Sequence, residues 1–121
     1  MLLRVQKELL IDRLRSMSSC KIAFHTPPTP YPYSIDVRDE LMELFKRAGW
    51  TECQVGTSLL ADQTAGICLY RLRHYPSDSQ YSLFFERLTV MFREAGVQIG
   101  FEEVDETSSE ARLVIAVGRM S

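Results

Sequence analysis

The chain has 121 residues, of which 45% are hydrophobic and 25% are charged, values that are ordinary for one globular domain. Its formal net charge of −2 provides no basic footprint, so we expect no nucleic-acid partner. No segment approaches the roughly 20 apolar residues that span a bilayer. The three cysteines match no metal-binding spacing and favour a reducing compartment, so we expect a cytoplasmic protein.

The first 17 residues predict an amphipathic helix. Its apolar residues recur at steps of three and four: Leu2, Val5, Leu9, Leu10, Leu14 and Met17. No N-cap residue precedes the pattern, as in a helix that continues from a longer chain or frays at a native end. We therefore divide the chain into an N-terminal helix, residues 1–19, and a single α/β domain, residues 20–121. The helix is expected to link to another segment, to pack on this domain, or to form a homodimer. An edge strand of the sheet is the alternative route to a homodimer.

The next elements form a strand–helix–strand unit. A strand is predicted over 21–25, and a stiff loop with four prolines follows it. A helix is predicted over 35–48, with Ser34 or Asp36 as its cap and Gly49 at its end. A more polar strand over 50–57 and a turn over 58–65 complete the first half.

The second half repeats this order. A strand over 66–72 leads through a loop to a second long helix, which Ser77 and Gln80 are predicted to cap and Gly96 to end. Strands over 98–104 and 111–119 follow, joined by a polar turn. Segments 39–49 and 86–96 also align without gaps, although any two amphipathic helices that end in glycine look alike.

The hydrophobicity of the strands predicts their places in the sheet. The third and fifth strands are apolar on both faces, as in strands covered on both sides, whereas the second and fourth are mixed, as edge strands are. If both units diverge from a shared centre, right-handed crossovers place their helices on opposite faces. The fold expected is α/β, with a mixed five-stranded sheet in the order 2-1-3-5-4. The alternative is a ferredoxin-like α+β sandwich with both long helices on one face.

In the preferred topology the first and third strands are parallel neighbours, and their carboxyl ends form a switch point where α/β sheets bind ligands. The loops there would suit a small anionic or nucleotide-like ligand, because helix N-termini, arginine and tyrosine recognise such groups. The same residue types also cap helices and pack loops without any ligand. The candidate ligand-binding residues are His25, Thr26, Tyr31, Tyr33, Ser34, Arg73, His74, Tyr75 and Ser77.

No catalytic residue, metal ligand or cofactor is predicted. His25 is followed by Thr-Pro and His74 by Tyr-Pro-Ser, so neither fits the spacing of phosphoesterases that use two histidines. The glycine-rich signatures that cradle phosphates are absent from the sequence. We therefore do not expect an enzyme.

The order of elements resembles that of small soluble α/β modules that follow transmembrane helices in bacterial proteins of unknown role. The matching segments are 9–17, 21–24, Arg47-Ala48-Gly49-Trp50 and Glu94-Ala95-Gly96. The proline-rich loop departs from the acidic or glycine-rich loops expected there. The resemblance implies an accessory or sensing module and assigns no functional residue. The function expected is a non-enzymatic interaction or sensing domain, with membrane contact only through a segment outside this chain. The alternative is a domain that binds a small molecule.

Overall fold

A computed structural model of the chain describes residues 2–17, 19–72, 80–105 and 113–119. The helices are α1 (Arg4–Arg15), α2 (Pro32–Arg47), α3 (Leu59–Asp62) and α4 (Gln80–Glu94). The strands are β1 (Ile22–Thr26), β2 (Cys53–Thr57), β3 (Ile67–Leu72), β4 (Gly100–Val104) and β5 (Leu113–Val117). The order of these elements confirms the α/β class and the mixed five-stranded sheet.

The carboxyl end of α2 is closed by two backbone hydrogen bonds. The Trp50 N–H donates to the Phe45 carbonyl and the Gly49 N–H donates to the Lys46 carbonyl, each over 3.0 Å. Gly49 has a φ of 97°, a left-handed conformation that glycine adopts without a Cβ clash. The rings of Phe45 and Trp50 meet edge to face at 5.0 Å, which adds the apolar contact typical of this helix ending.

Helix α4 ends in the same way. The Val97 N–H donates to the Phe92 carbonyl over 2.9 Å, the Gly96 N–H donates to the Arg93 carbonyl over 3.0 Å, and Gly96 has a φ of 77°. The sequence echo between the two halves therefore corresponds to a shared local structure. Each half is a strand–helix–strand unit with parallel, adjacent strands, β1-α2-β2 and β3-α4-β4.

The strand order is β2-β1-β5-β3-β4, so the predicted order 2-1-3-5-4 is wrong in the placement of β5. Strand β5 lies between β1 and β3, parallel to β1 and antiparallel to β3. The first and third strands are therefore neither neighbours nor parallel. The prediction that β2 and β4 are the edge strands is confirmed.

The three long helices share one face of the sheet, which corrects the prediction of long helices on both faces. Their buried side chains form one core with alternate residues of the strands, such as Phe24, Leu69 and Ile115. Because β3 runs opposite to β1, the two units are related by a rotation about an axis that passes through β5 perpendicular to the sheet. Crossovers of equal hand then fall on the same face. The ferredoxin-like alternative shares only this placement of its helices.

The opposite face carries small side chains and the connection from β2 to β3. Ala23, Cys68 and Ala116 are buried there, together with Ala61 of α3. A Cβ at Gly118 would overlap the Thr64 carbonyl oxygen, so this connection runs directly over the end of β5. Residues 58–66 thus cross the second face at one edge of the sheet.

Helix α1 contributes to the main core. Leu10, Ile11 and Leu14 are buried, and the Trp50 indole N–H donates to the Leu14 carbonyl over 3.3 Å. Val5 and Leu9, which the sequence pattern assigns to the apolar stripe, are exposed instead. None of the described helices is both long and apolar enough to cross a membrane.

The matched endings of α2 and α4 predict equal effects of substitution. Gly49→Ala and Gly96→Ala should each lower the free energy of unfolding by about 1 kcal/mol, because alanine is strained at positive φ. A Cβ at Gly49 meets nothing within 4 Å, and one at Gly96 meets only the Gln6 Nε2 at 3.5 Å, so packing adds little. Urea denaturation measures both variants. Gly100→Ala is the control, since Gly100 has no positive φ, and a loss in the control as large as in the two variants would contradict this account.

Candidate functional site

One edge of the sheet gathers the carboxyl ends of β1, β2 and β5 and the start of α2. Strands β2 and β5 both run parallel to β1, and α2 follows β1 directly. The carboxyl ends of the three strands and the start of α2 therefore meet at the same end of the sheet. We call this region, with Thr26, residues 31–34, Ser58, Gly118 and Arg119, the strand-end surface. In sheets with parallel strands, ligands bind beyond the carboxyl ends of those strands.

Thr26 ends β1 with a side chain that lacks a partner. The residue is 1% exposed, and its Oγ1 forms no hydrogen bond among the described residues. By strand alternation with Ile22 and Phe24, which lie in the helix-side core, the hydroxyl lies on the face that α2 covers. The backbone of Thr26 is occupied, because its carbonyl accepts the Ser58 N–H over 3.0 Å. A buried hydroxyl without a partner is costly, and such groups recur at binding sites.

Helix α2 begins three residues before the predicted start, and the predicted caps Ser34 and Asp36 are wrong. Tyr31 is the N-cap residue and its side chain makes no capping hydrogen bond, while Pro32 occupies the first turn. Proline is compatible with the first turn because its fixed φ is helical and no N–H is needed there. The N–H groups of Ser34 and Ile35 instead donate to the Tyr31 carbonyl, over 3.0 and 3.3 Å.

The rings of Tyr31 and Tyr33 stack on each other at the start of α2. Their centroids are 6.0 Å apart, the planes differ by 13°, and the side chains are 37% and 40% exposed. The neighbouring prolines restrict the backbone that carries them. The strand-end surface thus presents an aromatic pair that is ordered in advance and accessible.

Ser34 joins the start of α2 to the end of β5. It is fully buried, and its Oγ donates to the Gly118 carbonyl over 2.7 Å. The next residue, Arg119, is exposed and lines a cleft of about 400 Å³ with residues 65–67 and 98–100. Arg119 is not among the candidate residues predicted from the sequence, although its place at the end of the predicted fifth strand, 111–119, is a usable signal.

His25 lies on the other face of the sheet from Thr26. It pairs with Gly56 of β2, and a Cβ at Gly56 would come within 2.9 Å of the His25 Nε2. The ring is 2% exposed, and its Nδ1 has no partner in the described part of the chain. Burial lowers the pKa of His25 below its ordinary value of 6.5, so the imidazole is neutral near pH 7. Because the two faces are separate, the side chains of His25 and Thr26 do not share one ligand group.

The structure places His25, Thr26, Tyr31, Tyr33 and Ser34 at the same end of the sheet, with the His25 side chain on the other face from that of Thr26. The other candidates, Arg73, His74, Tyr75 and Ser77, lie outside the described residues. They follow β3, whose carboxyl end is at the opposite edge because β3 runs against β1 and β5. The expectation that both loops meet depended on parallel first and third strands, and that arrangement is wrong. The predicted capping pair of Ser77 and Gln80 also involves a residue outside the described part.

The thiols of the protein are poorly suited to nucleophilic chemistry. Burial, with a smaller contribution from Glu102, raises the pKa of Cys68 to about 12. Burial and the nearby Glu52 raise the pKa of Cys20 to about 11, and burial also raises that of Cys53. All three are therefore protonated near neutral pH. Within residues 2–17, 19–72, 80–105 and 113–119, no three His, Cys, Asp or Glu residues are grouped to hold a metal ion.

Comparison with protein-family models, with curated proteins and with solved structures finds no significant match to this chain.

Thr26 provides a direct test of the strand-end surface. Thr26→Val keeps the side-chain shape and removes the buried hydroxyl, so the free energy of unfolding should rise by about 1 kcal/mol. The control is Thr64→Val, because the Thr64 Oγ1 lies 2.9 Å from the Leu60 carbonyl and 2.5 Å from the Tyr70 hydroxyl. That control should lose stability in the same urea titration. Equal destabilisation of both variants would show that the Thr26 hydroxyl is already satisfied.

His25 makes the stability of the fold depend on pH. Its pKa is lowered in the folded state, so the unfolded chain binds a proton more readily, and stability should fall as the pH drops below about 6.5. The loss should level off below the folded-state pKa. Urea denaturation at several pH values from about 7.5 to about 5 measures the slope, and His25→Gln should reduce it. An unchanged slope in His25→Gln would assign the effect to other groups.

Proposed function

We propose that this chain is a sensing domain that binds a small anionic ligand with a flat ring, such as a nucleotide, at the strand-end surface. The observation that carries the proposal is the stacked and exposed pair of Tyr31 and Tyr33 at a helix start without a side-chain cap. This places an aromatic platform beside the positive end of the α2 helix dipole.

The chemistry of the surface favours a ligand with two parts. The ring of the ligand would stack on the tyrosine pair, because aromatic faces bind flat π-systems. Its anionic group would lie against the start of α2, where the helix dipole favours negative charge. Arg119 adds a cation at the same edge, one residue beyond the carbonyl that Ser34 binds.

A sensing role is supported by the contacts of α2 with α1. The Glu40 carboxylate of α2 accepts the Leu2 N–H over 3.1 Å and lies 3.2 Å from the Lys7 ammonium group. Helix α1 also packs against α4, and an Arg13–Glu94 ion pair of 2.7 Å joins those two helices. A ligand that shifts the start of α2 would therefore change how α1 packs against α2. In a membrane-anchored protein, α1 would be the element that transmits the change.

The test is an NMR titration of the labelled full chain with adenosine monophosphate, and separately with inorganic phosphate. Binding of the nucleotide should shift amide signals of residues 31, 33–35 and 118–119, followed by smaller shifts in α1. Phosphate alone should shift a subset of the first group more weakly, because it lacks the ring. If neither compound moves these signals at any concentration reached, the proposal is wrong.

Two variants separate the parts of the ligand. Tyr31→Ala should weaken nucleotide binding about tenfold and leave phosphate binding unchanged, since stacking on one ring contributes about 1–3 kcal/mol. Arg119→Gln should weaken the binding of both compounds. The matched control is Arg47→Gln, an exposed arginine at the last residue of α2, at the opposite end of that helix from Tyr31. If Arg47→Gln weakens binding as much as Arg119→Gln, the effect is one of net charge.

A further inference from the structure

The two edge strands of the sheet differ in their charge. Strand β4 carries Glu102 and Glu103, and charged side chains are one means by which proteins prevent edge strands from pairing. Strand β2 has the sequence CQVGT and carries no charge and no proline. The outer side of β2, which we call the β2 edge, therefore lacks this protection.

Hydrogen bonds at both ends of β2 fix which backbone groups point outward. The Ile22 N–H donates to the Glu52 carbonyl and the Ser58 N–H donates to the Thr26 carbonyl, each over 3.0 Å. In a parallel ladder, alternate residues of one strand face the same neighbour. Residues 52, 54, 56 and 58 thus face β1, and Val55 directs its N–H and carbonyl away from the sheet.

Apolar side chains surround the β2 edge. Val55 is 54% exposed on the helix side of the sheet, where it pairs with Phe24 of β1. Directly after β2, Leu59 and Leu60 of α3 are 77% and 36% exposed. Apolar residues exposed together in this way mark interaction surfaces.

We propose that the β2 edge pairs in antiparallel fashion with the β2 edge of a second copy of this chain. Val55 is the middle residue of β2, so a two-fold axis beside it places Val55 opposite the partner's Val55. These residues would exchange both N–H···O bonds, since their backbone groups point outward. Cys53 would lie opposite the partner's Thr57, and the two sheets would become one sheet of twice the width.

The residue types of the strand favour a second copy as the occupant. The pairing places valine beside valine on the helix side, an apolar cross-strand pair that stabilises a sheet. On the other side Gln54 would lie opposite the partner's Gly56, so no like charges meet. The same symmetric pairing about Glu102, the middle residue of β4, would bring Glu102 against the partner's Glu102. Strand β2 can therefore pair with β2 of a second copy, whereas the same pairing of β4 would bring like charges together.

Sedimentation or light scattering over a range of concentrations tests the proposal. The chain should be a dimer that dissociates on dilution, and Val55→Lys should be monomeric because two lysines would face each other. Phe101→Lys is the matched control, since Phe101 is 55% exposed and lies on the helix side of the other edge strand. It should remain dimeric, with circular dichroism confirming that both variants fold. A chain that is monomeric throughout, or a Val55→Lys variant that still dimerises, would overturn the proposal.

A cross-linking experiment checks the register. In a Cys53→Ser background, Val55→Cys should form an intermolecular disulfide under mild oxidation. Residues opposite each other in such a pair have Cα atoms about 5.5 Å apart, within the range that a disulfide bridges. Phe101→Cys in the same background should not cross-link. If Leu9→Lys on the exposed side of α1 abolishes the dimer and Val55→Lys does not, the interface is α1 and the proposal is wrong. These outcomes are independent of whether the strand-end surface binds a ligand.

Discussion

The position of β5 is the constraint on which the remaining structure depends. This strand is buried on both faces, runs parallel to β1 and antiparallel to β3, and so joins two strand–helix–strand units that point in opposite directions. Because the units are related by a rotation about an axis perpendicular to the sheet through β5, both long helices fall on one face and α1 can pack against both. The same rotation places β2 and β4 at the edges and divides the loops between two opposite ends of the sheet.

The division of the loops determines where a ligand can bind. The ends of β1, β2 and β5 meet beside the start of α2, and the hydrogen bond from Ser34 to the Gly118 carbonyl holds that helix start against the last strand. The second face at this edge is closed by the short connection through α3, which leaves His25 buried and neutral. The sheet therefore separates the polar groups at these strand ends into two environments. The exposed tyrosines lie on the helix side.

The two proposals assign different tasks to neighbouring parts of the molecule. The strand-end surface lies at the carboxyl end of β2, and the β2 edge runs along the side of the same strand. A dimer formed there would place two strand-end surfaces at opposite ends of one continuous sheet, because the paired strands are antiparallel. The α1 helices would remain on the helix side of the dimer, where each contacts the α2 helix of its own copy.

The elements, the class of the fold and the edge strands could be predicted from the sequence, because the hydrophobic periodicity of each segment is a local property. It also identified Gly49 and Gly96 as helix ends, since a left-handed residue favours glycine wherever it occurs. Sequence reasoning named Tyr31 and Tyr33 but not Arg119, whose role depends on which strands are neighbours. Strand order and direction were decided by tertiary structure alone. Residues 58–66 are too few for a crossover between parallel strands, which needs a dozen or more residues. The length of this connection therefore predicts that β3 runs antiparallel to β2. Only the packing of β5 against both β1 and β3, however, determines which strand is central.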